Sequence, residues 1–525
     1  MQSSRLSMKW KLFSNHWKLE NEEQKNFKTK NHHIIAPIKD ELNAFNEETI
    51  KLLAQAIVNV LNKDKIFEIK MLIANDGSHK LLANFEKKMV NVISFQCGKL
   101  YTYEKNLPVS EAFLKFTNDA ADAFLISIYL HKYNHHNKYA ISFFNKDNEP
   151  INHKFIKKIL EEYKNLQFED IKEFIDEYQK LNFNKILKEY TDFILQKNFT
   201  KNPNHLLKIG VINSSLQNTF VKRILGKNDI AYTVLKNKNK EEKPHLLKFS
   251  WWHYSNLKNV EYIIKFSYDF KKLCLYKRNY HKKLCLQYEL IDISDLISNY
   301  LAFINNYHIN INKNFQPIKN LYTSYFIKQQ NIEEIADKLQ LNIKIDWVFN
   351  PNKIIDQNSL YFDEEYNVFL SNSKKYGYDA FAFLSVIVDM LNYYQTQEMK
   401  YDDICEQNLV FQKQFLVSEF KYYCDFKNLS DFETKLFVQD KIGQLKVNSI
   451  ENITNYFKND NEKYIAKFNF AKNEWMSIKY DFKNENLIFF IHETSKTKGN
   501  IAKKIKNFMY KFTKKYHKPL IDLNF

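Results

Sequence analysis

A chain of 525 residues, 44% hydrophobic and 16% aromatic, has material for about three or four cores, which excludes general disorder. Its formal charge of +17 invites a polyanion partner, yet of 78 basic residues only Arg5, Arg223 and Arg278 are arginine. The forked grip on phosphate and guanine is therefore scarce, and a lysine-rich composition accounts for the charge without nucleic acid. Seven scattered glycines form neither G-x-G-x-x-G nor a P-loop, which excludes the usual nucleotide cradles.

The first ~45 residues are polar, without a clear period, and lack the basic start and apolar run of a signal peptide. The longest apolar stretches, Ala120–Leu130 and Ala380–Val388, fall short of the ~20 residues of a membrane span. Cys97, Cys274, Cys285, Cys405 and Cys424 are odd in number and contain no C-x-x-C pair. That argues against a disulfide framework or a structural zinc site, and the expected location is a reducing cytoplasm.

Helical spacing begins at Glu48–Asn62, followed by a strand at Met71–Ala74 that enters an Asn75-Asp76-Gly77 turn. A helix (Leu81–Val92), a strand (Ser94–Tyr103), a helix (Ser110–Asn118) and a strand (Ala123–Leu130) predict an α/β layer with a mostly parallel sheet. A long charged helical stretch is expected over Ile151–Gln196. The pattern restarts with strand Leu206–Ile212, helix Thr219–Leu225, three strands between Val260 and Tyr288, and helix Asp292–Ile304. It restarts again with helix Ile332–Leu339, strand Ile343–Phe349 and the long helix Asp379–Gln395. Three strands between Tyr464 and His492 and a terminal helix close the chain. The expected fold class is α/β: three similar mixed α/β domains, then a smaller C-terminal α+β domain, around a central cleft. The expected bounds are 1–165, 166–310, 311–415 and 416–525.

Local patterns in four successive units, in order, resemble the α-D-phosphohexomutases, the phosphoglucomutase/phosphomannomutase family, over roughly residues 45–515. The family moves a phosphoryl group through a phosphoserine, with Mg²⁺ and a sugar bisphosphate intermediate. In MLIANDGSHK the family's turn keeps Asp76 and His79, with Ser78 at its arginine position. ADAFLISIYLHKYNHHNKYAISF resembles D-A-G-I-M-I-T-A-S-H-N-P-x-x-Y-N-G-x-K, and the phosphoryl-carrying serine aligns with Leu130, beside a retained His131. A shifted register would place Ile128 or Tyr129 there, and Ser127 lies three residues back. Leucine has no oxygen to phosphorylate. EYIIKFSYDFKKLCLY resembles the magnesium segment I-I-I-A-T-D-P-D-A-D-R-L, with Ser267, Asp269 and Lys271 at the three ligand positions and Lys272 at the arginine. One carboxylate and one ammonium do not make a magnesium site.

YFDEEYN resembles the sugar-recognition loop G-x-E-E-S, with Glu364 and Glu365 in register and Tyr366 for the serine. These adjacent carboxylates read either as a relict sugar site or as solvated surface. WMSIKYDFKNENLIFF resembles the phosphate clamp W-x-x-x-R-P-S-G-T-E-P-K-I-K-F, but reads Lys479 to Glu485 with no arginine, serine or glycine. The family's entry motif G-T-[SA]-G-x-R-G is missing from residues 26–45.

Other signals are local. His131, His135 and His136 carry metal spacing if helical, or form a solvated loop. Trp251-Trp252-His253-Tyr254, beside the polar insert Asn237–Lys243, is an exposed anchor or a buried corner. Ile501, Ile505, Phe508, Met509, Phe512 and Tyr516 form a stripe that meets a membrane surface, a partner, or the domain's own sheet.

Joint loss of nucleophile, metal ligands and clamp implies that the fold outlives the chemistry, because these groups act together. The expected function is a pseudoenzyme reused as a protein-interaction subunit, with protein partners, no cofactor and at most weak binding of a hexose phosphate. The alternative is an active or altered phosphomannomutase/phosphoglucomutase, which would need Mg²⁺ and another acceptor, Ser127 or His131. A third reading is a basic polyanion binder, whose binding would weaken steeply with salt.

Overall fold

The computed structural model describes residues 27–515 apart from 31, 65–69, 95–98, 105–106, 121–124, 134–136, 174–177, 196–206, 213–217, 236–243, 250–253, 281–285, 306–317, 348–357, 371–375, 409–414, 424–440, 443–444, 453–462, 471–473, 482–485 and 495–499. Cys97, Cys285, Cys424, His135, His136, Trp251, Trp252, His253, the 237–243 insert and residues 482–485 of the clamp segment lie outside the described residues. Two compact units divide at Lys188 and Glu189.

Unit 1 is built on a seven-stranded sheet: β1 (Lys28–Lys30), β2 (His33–Pro37), β3 (Lys70–Asn75), β4 (Lys99–Tyr103), β5 (Ile126–Lys132), β6 (Lys138–Asn145) and β7 (Gln179–Leu181). Their order is β1-β2-β6-β5-β3-β4-β7. The sheet is mixed rather than mostly parallel: β5, β3, β4 and β7 run parallel, while β1, β2 and β6 add antiparallel pairs. β1 and β2 arise in the segment that shows no period. β2 is only five residues, too short to display alternation, and its central residues are all buried. β4 starts at Lys99, later than Ser94, which is the C-cap of helix α2 (Leu82–Ile93).

Helix α1 (Glu47–Lys63) starts where Asn46 closes a reciprocal cap: its Oδ1 accepts from the Thr49 N–H and Thr49 Oγ1 accepts from the Asn46 N–H, both at 3.0 Å. α1, α2, α3 (Glu111–Ala120) and α4 (His153–Asn165) follow the expected apolar spacing. The expected helical stretch 151–196 is broken. After Asn165 the chain turns extended at Leu166, whose side chain packs into the unit's core, and β7 precedes α5 (Phe183–Leu195). Charge without a sustained 3.6-residue stripe does not reveal such a break. β7 belongs to the first sheet and lies in unit 1.

Unit 2 holds three larger sheets. The first contains β8 (Lys208–Ile212), β9 (Ala231–Leu235), β10 (Leu246–Phe249), β11 (Tyr262–Phe266), β12 (Leu273–Arg278) and β13 (Leu286–Leu290), ordered β10-β13-β12-β11-β8-β9. Gly210 in β8 permits close packing, since a Cβ there would lie 2.8 Å from Leu235 Cδ1 and 2.9 Å from Ile263 Cγ1. Helices α6 (Asn218–Lys227), α7 (Tyr254–Leu257) and α8 (Ile293–Phe303) accompany it. The second sheet is β15-β14-β16-β17: β14 (Asn320–Ser324), β15 (Asn342–Asp346), β16 (Ser359–Phe362) and β17 (Val368–Leu370). Its helices are α9 (Gln329–Leu339) and α10 (Ala380–Thr396). Asp379 caps α10 by accepting from the Phe381 and Ala382 N–H groups, and the Tyr190 hydroxyl holds its second oxygen at 2.7 Å. α11 (Tyr401–Asn408) follows.

The last sheet is antiparallel: β18 (Phe415–Tyr423), β21 (Ser449–Asn452), β22 (Lys463–Asn469), β23 (Trp475–Asp481) and β24 (Asn486–Thr494), ordered β18-β24-β23-β22-β21, with β19 (Lys441–Ile442) and β20 (Leu445–Lys446) as a separate pair. Helix α12 (Asn500–Lys515) buries Ile501, Ala502 and Ile505 against this sheet, with Phe508 partly covered. That stretch of the terminal stripe packs on its own domain. Among the described residues no helix is long and apolar enough to cross a membrane.

Candidate functional site

In unit 1 the resembled nucleophile position is a core position. Leu130 is 1% exposed and packs with Ile73, Ile128 and Ile141 inside the hydrophobic cluster. It lies within β5, opposite Ile141 of β6. Ile128 and Tyr129, the shifted alternatives, are buried as well, and the Tyr129 hydroxyl donates to the Val109 carbonyl at 2.8 Å. Ser127 points to the opposite face from Leu130 and is 1% exposed, so neither register brings an accessible hydroxyl to the end of the strand.

Asp76 has a structural task. One oxygen accepts from the Lys132 N–H at the end of β5 and the other from the Ser78 N–H, each at 2.8 Å, while its own N–H donates to the Leu130 carbonyl. Gly77, at φ 64, supplies the left-handed turn this requires. His79 Nδ1 accepts from the Leu81 N–H, and burial together with the neighbouring Lys80 holds the imidazole below its usual pKa. His131 is strand-bound, not helical, and its expected companions His135 and His136 lie outside the described residues. Its Nε2 lies 2.6 Å from Ser142 Oγ, a residue that no sequence motif singles out.

In unit 2 the turn after β11 carries the three resembled metal positions. Ser267 Oγ donates to Asp269 Oδ1 at 2.6 Å, the same oxygen accepts the Lys271 N–H at 3.2 Å, and the Lys272 N–H donates back to Ser267 Oγ. The lone carboxylate is thus engaged in closing its own turn. This donor set, one carboxylate and one hydroxyl beside a lysine, does not fit the oxygen-rich octahedron Mg²⁺ requires. Phe270 takes φ 59 here, and its ring stacks on Phe381 at 5.4 Å as its carbonyl accepts the Ala380 N–H.

The segment that resembles the sugar-recognition loop is a tight turn organised by Asp363, which accepts from the Glu365 and Asn367 N–H groups and from the Tyr361 hydroxyl. Glu364 is 6% exposed, which rules out the solvated-surface alternative for it. One Glu364 oxygen accepts the Ser324 hydroxyl at 2.6 Å and the other takes the ammonium of Lys479 from β23. Lys272 reaches Glu365 at 3.2 Å. Burial alone would raise the Glu364 pKa, but Lys479 and the Ser324 hydroxyl bring it below the usual value. Lys479 is correspondingly held above its usual value despite its burial, chiefly by Glu364 and then Glu365. Burial and the Glu364 charge push Asp363 up.

Both lysines occupy positions where the resembled motifs carry arginine. The sequence locates the carboxylates and the lysines but not their pairing, because Glu364 and Lys479 lie 115 residues apart. Glu364 also borders a cavity of about 690 Å³, along which Lys328 lies 3.5 Å from Asp292 and 3.4 Å from Asp295, and Lys277 meets Asp402. Among the described residues no three histidines, cysteines or carboxylates gather around a point that could hold a metal.

No protein-family model matches the chain, and no curated protein does. Solved structures do. A Thermus thermophilus protein provisionally described as a phosphomannomutase has 8% identity and a TM-score of 0.61, covering 93% of this chain and 99% of that one. A phosphoglucomutase/phosphomannomutase family protein from Burkholderia thailandensis has 11% identity and a TM-score of 0.58, covering 96% and 100%. The Paramecium phosphoglucomutase pp63/parafusin has 12% identity and a TM-score of 0.59, covering 89% and 92%. At such identities the likeness concerns the fold.

Proposed function

From a chain with the fold of the phosphoglucomutases and phosphomannomutases, we propose a catalytically inactive protein that acts by binding a protein partner in a reducing cytoplasm. The observation that carries this reading is the mutual pairing of Glu364 with Lys479 and of Glu365 with Lys272. A recognition carboxylate must exchange bonds to water for bonds to a ligand; here those bonds are already made within the chain, and for Glu364 in a buried setting where breaking them is costly. Leucine at position 130 removes the covalent carrier, and Ser267 and Lys271 remove the charge that would hold Mg²⁺. With these three lost together, positioning alone would contribute little rate.

The residual-activity reading would need Ser127 or His131 as acceptor. Ser127 is inside the sheet, and His131 is committed through both ring nitrogens, at 3.0 Å to the Lys132 carbonyl and 2.6 Å to Ser142. Titration calorimetry with glucose 1-phosphate and mannose 1-phosphate tests the filled site: no saturable heat is expected, and tight binding would overturn it. For the partner, affinity purification at native abundance should return one protein in a fixed ratio that survives gel filtration. Elution of this chain alone would contradict the interaction role.

A further inference from the structure

Helix α2 lays Leu82, Phe85, Met89, Val90 and Ile93 into the core of unit 1, and the middle of that apolar stripe carries an acid, Glu86, 2% exposed. One of its oxygens, Oε2, accepts from the Asn75 amide at the end of β3 at 2.5 Å; the other, Oε1, is buried without a hydrogen bond. Thr102 of β4, on the same sheet face as Asn75, also buries its Oγ1 without a hydrogen bond. Among the described residues no cation compensates the acid. Lys87 is exposed and Lys88 turns to Glu47 of α1 at 3.7 Å. The other charges of α1 pair elsewhere, Lys51 with Glu48 and Glu173, and Lys63 with Glu162. β5 offers Ile128 and Leu130 to this core. Beyond β3, the Asp76 oxygens accept the Ser78 and Lys132 N–H groups, and His79 packs on Tyr139. Tyr103, the titratable residue of β4, gives its hydroxyl to Thr117 at 2.8 Å.

We propose that Glu86 is a pH-sensitive latch: it packs as the neutral acid, and loss of its proton loosens both the seat of α2 on β3 and the Asn75-Asp76-Gly77 turn. A buried carboxylate needs donors on both oxygens or a cation beside it, and this one has a single amide N–H. The neutral acid has no net charge to desolvate. Burial accordingly pushes the Glu86 pKa up to about 7, with the Asn75 bond pulling it partly back. Asn75 transmits the change to the turn. Its Nδ2 holds Glu86, its Oδ1 accepts the Gly77 N–H at 2.8 Å, and its carbonyl accepts the Val109 N–H at 2.9 Å. An ionised Glu86 draws water and further donors into this dry face, at the expense of that set. The sign follows from the raised value. Because Glu86 is held above its usual 4.5, its contribution to stability is full below that value and is lost as pH rises through about 7.

The test uses the full chain. The urea midpoint of Glu86→Gln, taken relative to wild type, should rise as pH climbs from about 5 to about 8 and then level off. A difference that stays constant or shrinks over that range overturns the proposal. Independently of the variant's folding, wild type labelled with ¹³C at its glutamate carboxyls should show one signal that titrates more than about one pH unit above the ordinary range. Its absence overturns the proposal as well. The latch itself is read from hydrogen exchange at the Gly77 and Val109 amides of wild type, corrected for base catalysis. Their protection should fall by about 10-fold or more between about pH 5 and about pH 8, while the β22–β23 amides of the last sheet keep theirs. Protection that stays level, or that falls equally in both places, contradicts a latch at this turn.

Discussion

Glu364 and Lys479 form a buried ion pair that joins the turn after β16 to strand β23 across 115 residues of chain. Each partner sits where the resembled enzymes place a ligand-binding group, and each satisfies the other. Lys479→Met strands a buried carboxylate and should lower unfolding free energy by about 3–5 kcal/mol in urea titrations. Adding Glu364→Gln should recover much of that loss. Equal losses in the single and double variants would show that the pair does not organise this region.

The same pair sets a pH dependence. Glu364 is held below its usual 4.5, so its contribution is present above that value and fades as pH falls through the lower folded value. Lys479 is raised above 10.5, so its contribution is full below that value and disappears as pH rises further. The stability gap between wild type and Glu364→Gln should therefore be flat through neutrality and close at the acid end. A gap that widens in acid would contradict the assignment.

Leu130→Ser restores the residue type that the resembled motif carries, yet it should not restore chemistry. Truncating a core leucine and burying a hydroxyl together should cost about 3–5 kcal/mol. Intact-mass analysis after incubation with glucose 1,6-bisphosphate and Mg²⁺ should show no added phosphate. Phosphate carried covalently by this variant and not by wild type would mean that the rest of the machinery survives.

Magnesium should leave the thermal unfolding midpoint unmoved in wild type, because Asp269 is the sole carboxylate of its turn and is already bonded to Ser267. A midpoint that climbs with Mg²⁺ concentration would require ligands other than those the motif supplies.

Phe270 combines a left-handed backbone with a buried stacked ring. Phe270→Ala should cost about 3–5 kcal/mol through the lost ring. Phe270→Gly loses the same ring but escapes the left-handed strain, and should be about 1 kcal/mol more stable than the alanine variant. The reverse order would show that this φ is not strained.

The longer helices and the apolar strands are legible in the sequence, since α1, α8 and α10 carry both a periodic face and a polar cap. Short strands such as β2 and β17 are not: β2 buries its three central residues together and so shows no alternation, and β17 is three residues long. That a leucine, Leu130, stands at the resembled nucleophile position is legible in the sequence. The fate of Glu364 is not: whether a carboxylate is solvated or paired depends on a partner that only the folded chain brings near.

The most direct test of lost catalysis is a phosphohexomutase assay on the purified chain, supplied with Mg²⁺, a sugar 1,6-bisphosphate primer, and glucose 1-phosphate or mannose 1-phosphate. Turnover indistinguishable from a protein-free blank is the predicted result. Turnover that co-elutes with the protein and tracks its concentration would contradict the account, and with it the assignment of Leu130 to the place of the nucleophile.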